Sequence, residues 1–188
     1  MNKTKLQIFK AAIKSFSIYG YAGTTMDGIA EHAGVAKGTL YYHFKSKEEM
    51  FSFIIEEGLN LMIEEITAEV KAYENPLEKL RVLCRLQLSV LYRDRDFIKI
   101  VLSQLWGQEI RQIELRNKVS TYIKEIEGYI KEAMDAGLVR CGNPTFMSYA
   151  FFGSLCSAAV YEVINIDKID LDSVIEELIE YSIRGLQN

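Results

Sequence analysis

Between Thr24 and Phe51 the chain must fit two short helices, a Gly-Val turn and the opening of a further helix into fewer than thirty residues, TTMDGIAEHAGVAKGTLYYHFKSKEEMF. Few arrangements satisfy that demand. Helices that cross steeply need a point of close backbone approach, and Ala30 and Ala33 supply one. Gly34 follows where a left-handed C′ residue is required, a conformation that costs a Cβ-bearing residue but not glycine. Ile29, Val35 and Leu40 then point inward from the first helix, the turn and the second helix, forming a small core. This is the outline of a helix-turn-helix.

Such a unit places its second helix in the major groove of DNA. Here the second helix would present Lys37, Thr39, Tyr42 and His43 on its outer face, with Gly38 leaving room for a close approach. Ala36, the predicted N-cap, has no oxygen to satisfy the first amides, so a phosphate or water must do so. Ser46 and Glu49 have the spacing of a capping box, so a new helix starts at once. Lys47 falls in its first turn, where a cation is mildly disfavoured unless an anion is near.

On these residues the sequence resembles the TetR family of bacterial transcriptional repressors. The resemblance rests on G-Y-A-G-T-T from Gly20 to Thr25, I-A-x-x-A-G-V from Ile29 to Val35, and K-G-T-L-Y-Y-H-F-K-S-K-E from Lys37 to Glu48, roughly the first quarter of the chain. It implies that Thr25 and Tyr42 contact phosphates, that Lys37, Gly38 and Thr39 approach base edges, and that Tyr41, His43 and Lys47 support or extend the backbone contacts. Many members carry a basic or polar residue where this chain has Asp27. An acid there would repel phosphate, so no DNA contact is carried over to it.

A net charge of −4 argues against nucleic acid until its distribution is considered. Up to Lys47 there are seven lysines and two acids, Asp27 and Glu31, a net +5 that leaves −9 for the remainder. Concentrated basic charge is the footprint of a nucleic-acid-binding head, although lysines are also common on any exposed helix. Lys3, Lys10 and Lys14 share a predicted helical face opposite Leu6, Phe9, Ile13 and Phe16, which read as the buried stripe.

At 188 residues and 49% hydrophobic composition, the chain can form a small head and a larger body. No apolar run reaches the roughly 20 residues that span a bilayer, and no signal-peptide pattern opens the chain, so a cytoplasmic protein without membrane association is expected. Cys84, Cys141 and Cys156 read as reduced core thiols rather than disulfides or metal ligands. The two histidines, His32 and His43, both lie in the head, leaving the body without a Ser-His or Cys-His dyad or a zinc cluster. No catalytic residue, metal or cofactor is expected, and the chain does not read as an enzyme.

The fold class is all-α: an N-terminal three-helix helix-turn-helix DNA-binding domain (1–47) and a larger C-terminal helical ligand-binding and dimerisation domain (48–188). The pattern predicts helices from about Ser46 to Tyr73, from Asn75-Pro76 to a break near Arg93–Asp96, through an apolar stretch to Trp106, and from near Glu109 to Ala136, where Gly137 stops the helix. Two more start at Asn143-Pro144 and at Asp170. The first of this last pair carries Ala150, Gly153, Ser154, Ser157 and Ala158 on adjoining positions; the second offers Val174, Leu178, Ile179 and Ile183. Paired copies from two chains would close a four-helix bundle, making the protein a homodimer. Packing within one subunit is the alternative.

Tyr92, Phe97, Trp106, Tyr122, Tyr149 and Phe152 could line a small-molecule cavity or simply fill a core. The family resemblance places an inducer pocket in this body, and an aromatic wall suits a hydrophobic ligand. The run SQLWGQEIRQIELRNKVSTYIKEIEGYIKEAMDAGLV loosely resembles fatty-acid-responsive members of the family, which implies an acyl thioester. The resulting expectation is a homodimeric repressor that binds a pseudo-palindromic double-stranded DNA operator and is released by a small-molecule inducer. The alternative is a DNA-binding scaffold controlled by a protein partner.

Overall fold

The computed structural model describes residues 1–164 and 171–186, and every regular element among them is an α-helix. In chain order they are α1 (Lys3–Gly23), α2 (Met26–Ala33), α3 (Lys37–His43), α4 (Lys47–Val70), α5 (Pro76–Arg93), α6 (Arg95–Gln104), α7 (Ile110–Asp135), α8 (Pro144–Ile164) and α9 (Leu171–Arg184). The predicted start at Asp170 lies outside the described residues. The chain divides into two compact units, one of Met1–Leu61 with Asp96–Arg116, the other of Met62–Arg95 with Asn117–Asn188, with boundaries falling within α4 and α7.

In the first unit the local signals act as their chemistry requires. Asn2 caps α1, its Oδ1 accepting from the Lys5 amide at 2.8 Å. α1 kinks at Gly20, whose φ of 68° excludes most other residues. Thr24 is buried below the kink and donates to the carbonyls of Gly20 (2.7 Å) and Ser15 (3.1 Å). Gly34 is left-handed (φ 64°, ψ 33°). Its amide donates to Glu31 O, and that of Val35 to Ala30 O, both at 3.0 Å, closing α2 with a Schellman motif. At the start of α4 the Glu49 amide donates to Ser46 Oγ (3.1 Å), while the Glu49 carboxylate accepts from Lys45 N (2.7 Å). That is one residue earlier than the usual capping box reaches.

Ile29 and Leu40 are fully buried as expected, whereas Val35 is half-buried. The stripe read on α1 is shifted: Leu6 is exposed and Ile13 half-buried, and Ile8, Phe9, Ala12 and Phe16 are the buried positions. The aromatic residues of α4 pack on this face. Phe16 meets Phe51 edge-on at 5.2 Å and Phe9 meets Phe53 at 6.1 Å. Gly58, midway along α4, makes room for Phe97 of α6: a Cβ there would stand 2.5 Å from its ring.

In the second unit Asn75 caps α5 through bonds from Leu77 N (2.9 Å) and Glu78 N (3.3 Å), with Pro76 in the first turn. α5 packs against α8 and α9. Leu80, Leu83 and Leu88 of α5 join Ile126 and Ile130 of α7, Phe151 of α8, and Ile179 and Ile183 of α9 in one core. Gly137 (φ 69°) ends α7, its amide and that of Leu138 returning to Met134 O and Ala133 O, both at 2.9 Å. Cys84 is buried in this core, and desolvation pushes its thiol up to about 11. Cys156 is half-buried, but Cys141 is exposed in the turn before α8, so the expectation of three core thiols is corrected there. Among the described residues no helix is long and apolar enough to cross a membrane, and no group of His, Cys, Asp and Glu could hold a metal ion.

Candidate nucleic-acid interface

α3 is fastened by very little. Leu40 is its only buried residue, and its N-cap, Ala36, makes no side-chain hydrogen bond. The rest of the helix therefore faces outward. Lys37, Gly38, Tyr41 and Tyr42 are exposed, Tyr42 to 77%, and Thr39 and His43 are half-buried. A Cβ at Gly38 would meet nothing within 4 Å. The Tyr42 and His43 rings stand edge to face at 5.2 Å, which stiffens an otherwise bare surface. Thr25 is exposed at the start of α2, and its Oγ1 accepts from Gly28 N at 3.1 Å. Its hydroxyl proton remains available to an anion.

Two lysines depart from the sequence-based picture of free cations. Lys37 pairs with Asp27 at 2.5 Å, and the hydrogen bond with that carboxylate, reinforced by its charge, raises the lysine pKa. Lys47 donates to the carbonyls of Tyr21 (2.8 Å), Thr24 (3.1 Å) and Ala22 (3.5 Å). The end of α1 thus supplies the partial negative charge that a cation in the first turn of α4 needs. The same ammonium lies 4.6 Å from the Tyr21 ring, and the Arg111 guanidinium 3.8 Å from it. The Tyr21 hydroxyl donates to Glu48 at 2.8 Å, a bond that holds the Glu48 carboxyl below its usual range.

Sequence reasoning missed this cluster, because Tyr21 and Arg111 are ninety positions apart and only a fold joins them. It also missed Asp96, which accepts from Ser17 (2.7 Å) and Lys14 (3.0 Å). Lys3, Lys10 and Lys14 are all exposed, as their shared face required.

The six aromatic residues read as a ligand wall are not gathered within either unit. Phe97 and Trp106 belong to the first, where Phe97 is buried against α4 and Trp106 is 80% exposed. In the second, Tyr122 is buried and hydrogen-bonded to the Gln87 amide, Phe152 is half-buried against the core, and Tyr92 and Tyr149 are exposed. Burial pushes the Tyr122 phenol up, so it stays protonated.

The positions read as a dimer face divide in two. Ala158, Ile179 and Ile183 are buried in the core of their own subunit, because the inner side of α9 closes against α5. Ala150, Gly153 and Ser157 are exposed; Ser154, Val174 and Leu178 are half-buried. Ala150, Ser154 and Leu178 border a concavity of about 300 Å³ whose wall includes Phe146 and Tyr181. Phe146, Tyr149, Val160 and Tyr181 are large exposed apolar residues on the same two helices.

Residues 8–53 match the family model of bacterial regulatory proteins of the tetR family, and residues 55–185 match that of the C-terminal region of YsiA-like proteins. The chain belongs to the TetR family. It is a DNA-binding transcription regulator with the family's helix-turn-helix head and helical body. Its similarity to the fatty acid metabolism regulator protein of Bacillus subtilis (strain 168) is 28% identity over 190 residues, covering 97% of this chain and 95% of that one. A Clostridium perfringens structure described as a fatty acid metabolism regulator aligns with a TM-score of 0.89 at 43% identity, covering 97% of this chain and 99% of the other. FadR from Bacillus subtilis, solved in complex with stearoyl-CoA, shares the fold with a TM-score of 0.86 at 24% identity, covering 97% and 100%.

Proposed function

We propose that this TetR-family protein is a cytoplasmic, homodimeric repressor that leaves a pseudo-palindromic operator when a long-chain acyl thioester binds its helical body. The observation that carries the ligand class is the 43% identity, over nearly the whole chain, to a structure described as a fatty acid metabolism regulator. Residues 1–47 read DNA and residues 48–188 bind ligand and partner subunit. In the head, Thr25 and Tyr42 contact phosphates and Lys37, Gly38 and Thr39 approach base edges, with Tyr41 and His43 beside them. Lys47 acts mainly by holding α4 to the end of α1. In the body, Tyr122 and Phe152, the two of the six expected wall residues that lie in or against the core of the second unit, are the candidates for contact with the acyl chain. The exposed apolar residues of α8 and α9 face the second subunit.

Dimerisation follows from what the head can do alone. One short recognition helix reads too few base pairs for useful specificity, and two copies one helical turn apart double the number. The ligand shifts the regulator off DNA only by its differential affinity for the two conformations.

The test is a genomic-fragment binding selection with the purified protein at physiological salt, repeated with stearoyl-CoA, shorter acyl-CoAs, free coenzyme A and free stearate. A palindromic motif released by stearoyl-CoA but not by coenzyme A is the expected result. A motif that none of these releases would overturn the ligand assignment and favour control by a protein partner.

A further inference from the structure

Asp27 stands where a carboxylate should hinder DNA binding, and the fold gives it a partner there. It is the second residue of α2, and its Oδ2 accepts from the ammonium of Lys37, the first residue of α3, at 2.5 Å. The turn at Gly34 brings these two helix starts together across ten positions of sequence. Nothing in the packing asks for the pair. Both side chains are more than half exposed, 53% for Asp27 and 67% for Lys37, and an exposed ion pair contributes little to stability. Gly38 follows immediately, with open space where a side chain would be. The result is a cation and an anion side by side on an unobstructed surface.

The major groove holds a matching pattern. A G·C pair presents two acceptors, guanine N7 and O6, beside one donor, the cytosine N4 amino group. A lysine ammonium suits the acceptors and a carboxylate suits the donor. An A·T pair interleaves acceptor, donor and acceptor, and adds a methyl group.

We propose that Asp27 and Lys37 together read one G·C base pair in each half-site, and that Asp27 weakens binding to DNA lacking that pair. On other sequences the carboxylate meets acceptors and phosphates, which repel it, while holding Lys37 back from neutralising a phosphate. This inference rests on the reading that the exposed face of α3 enters the major groove.

The test uses the full-length protein, wild type and Asp27→Ala, Asp27→Asn and Lys37→Ala. Each is measured against the selected operator, operators with every half-site base pair replaced in turn, and random DNA over a range of salt. Wild type should prefer G·C at one position per half-site by about tenfold or more. Asp27→Ala and Lys37→Ala should both lose that preference at that same position and keep the others. Asp27→Asn should move it toward A·T, since an amide pairs with adenine N6 and N7. Asp27→Ala should also bind random DNA severalfold more tightly, with a salt slope steeper by about one because Lys37 is released to a phosphate.

An Asp27→Ala protein that keeps every base preference overturns base reading, even if its affinity for all DNA rises. One whose affinity for random DNA is unchanged overturns the charge penalty. Failure of the groove reading looks different: Tyr42→Ala and Lys37→Ala would then leave affinity and base preference alike unaltered. Thermal melting equal to wild type, expected for an exposed site, separates all of these from misfolding.

Discussion

The outer face of α3 and the outer face of the α8–α9 pair are both exposed, yet they are built on opposite principles. α3 is held by one buried leucine and surrounded by directional bonds: the Asp27–Lys37 pair, the Schellman closure of α2, and the capping of α4 by Ser46. Its exposed atoms are polar or aromatic, suited to phosphate and base edges. Among the described residues, the α8–α9 face has few such bonds. Ser154 and Ser182 share one at 3.2 Å, and the concavity is lined mostly by apolar side chains, Phe146, Ala150, Leu178 and Tyr181 among them, with Arg140 also in its wall. A polar surface wired by short-range bonds can stand in water until a polyanion arrives. An apolar one is stable in water only at a cost that a second apolar surface removes.

Leu40→Ala removes the only buried side chain of α3 and should destabilise the first unit by about 2–5 kcal/mol, read by urea unfolding. Operator binding should disappear with it. A loss below about 1 kcal/mol would mean that the polar bonds alone hold the recognition helix. On the other side, Phe146→Glu and Tyr181→Glu should each weaken self-association by about 2 kcal/mol or more if they lie centrally in the interface. Light scattering at micromolar concentration should then report monomers whose helical content is unchanged. Dimers that persist in the double variant would place the interface elsewhere.

Two smaller effects sharpen the contrast. Lys47→Met removes a cation bonded to three carbonyls and should cost about 1.5 kcal/mol of stability, with little change in the salt slope of DNA binding. A slope shallower by about one would instead return Lys47 to direct phosphate contact. Asn75→Ala removes the α5 cap and should cost about 1 kcal/mol in the second unit while leaving operator affinity within twofold.

What was legible in the sequence follows the range of the interaction responsible. Gly34, the Ser46 cap, Asn75-Pro76 and Gly137 act within a few residues, and each stops or starts a helix where its chemistry predicts. The buried stripe of α1 differs from the sequence pattern by part of a turn, because Leu6 and Ile8 are similarly apolar and periodicity alone does not choose between them. The roles of α8 and α9 were legible only in part for a related reason. Ile179 and Ile183 are apolar toward their own core, whereas Ala150 and Tyr181 are apolar toward the outside, and composition does not distinguish the two. The Asp27–Lys37 pair and the Tyr21–Arg111 contact are products of the fold, and no local rule announces them.

Gly58 has a practical consequence for anyone wishing to make this regulator more robust. Replacing a glycine in the middle of a long helix with alanine is a standard route to thermal stability, with an intrinsic gain of about 1 kcal/mol. Here the new methyl group would stand 2.5 Å from the Phe97 ring, so the ring must shift to admit it. A stabilised library should therefore vary positions 58 and 97 together, pairing alanine with a smaller residue than phenylalanine, rather than treat α4 as a helix free to be idealised by itself.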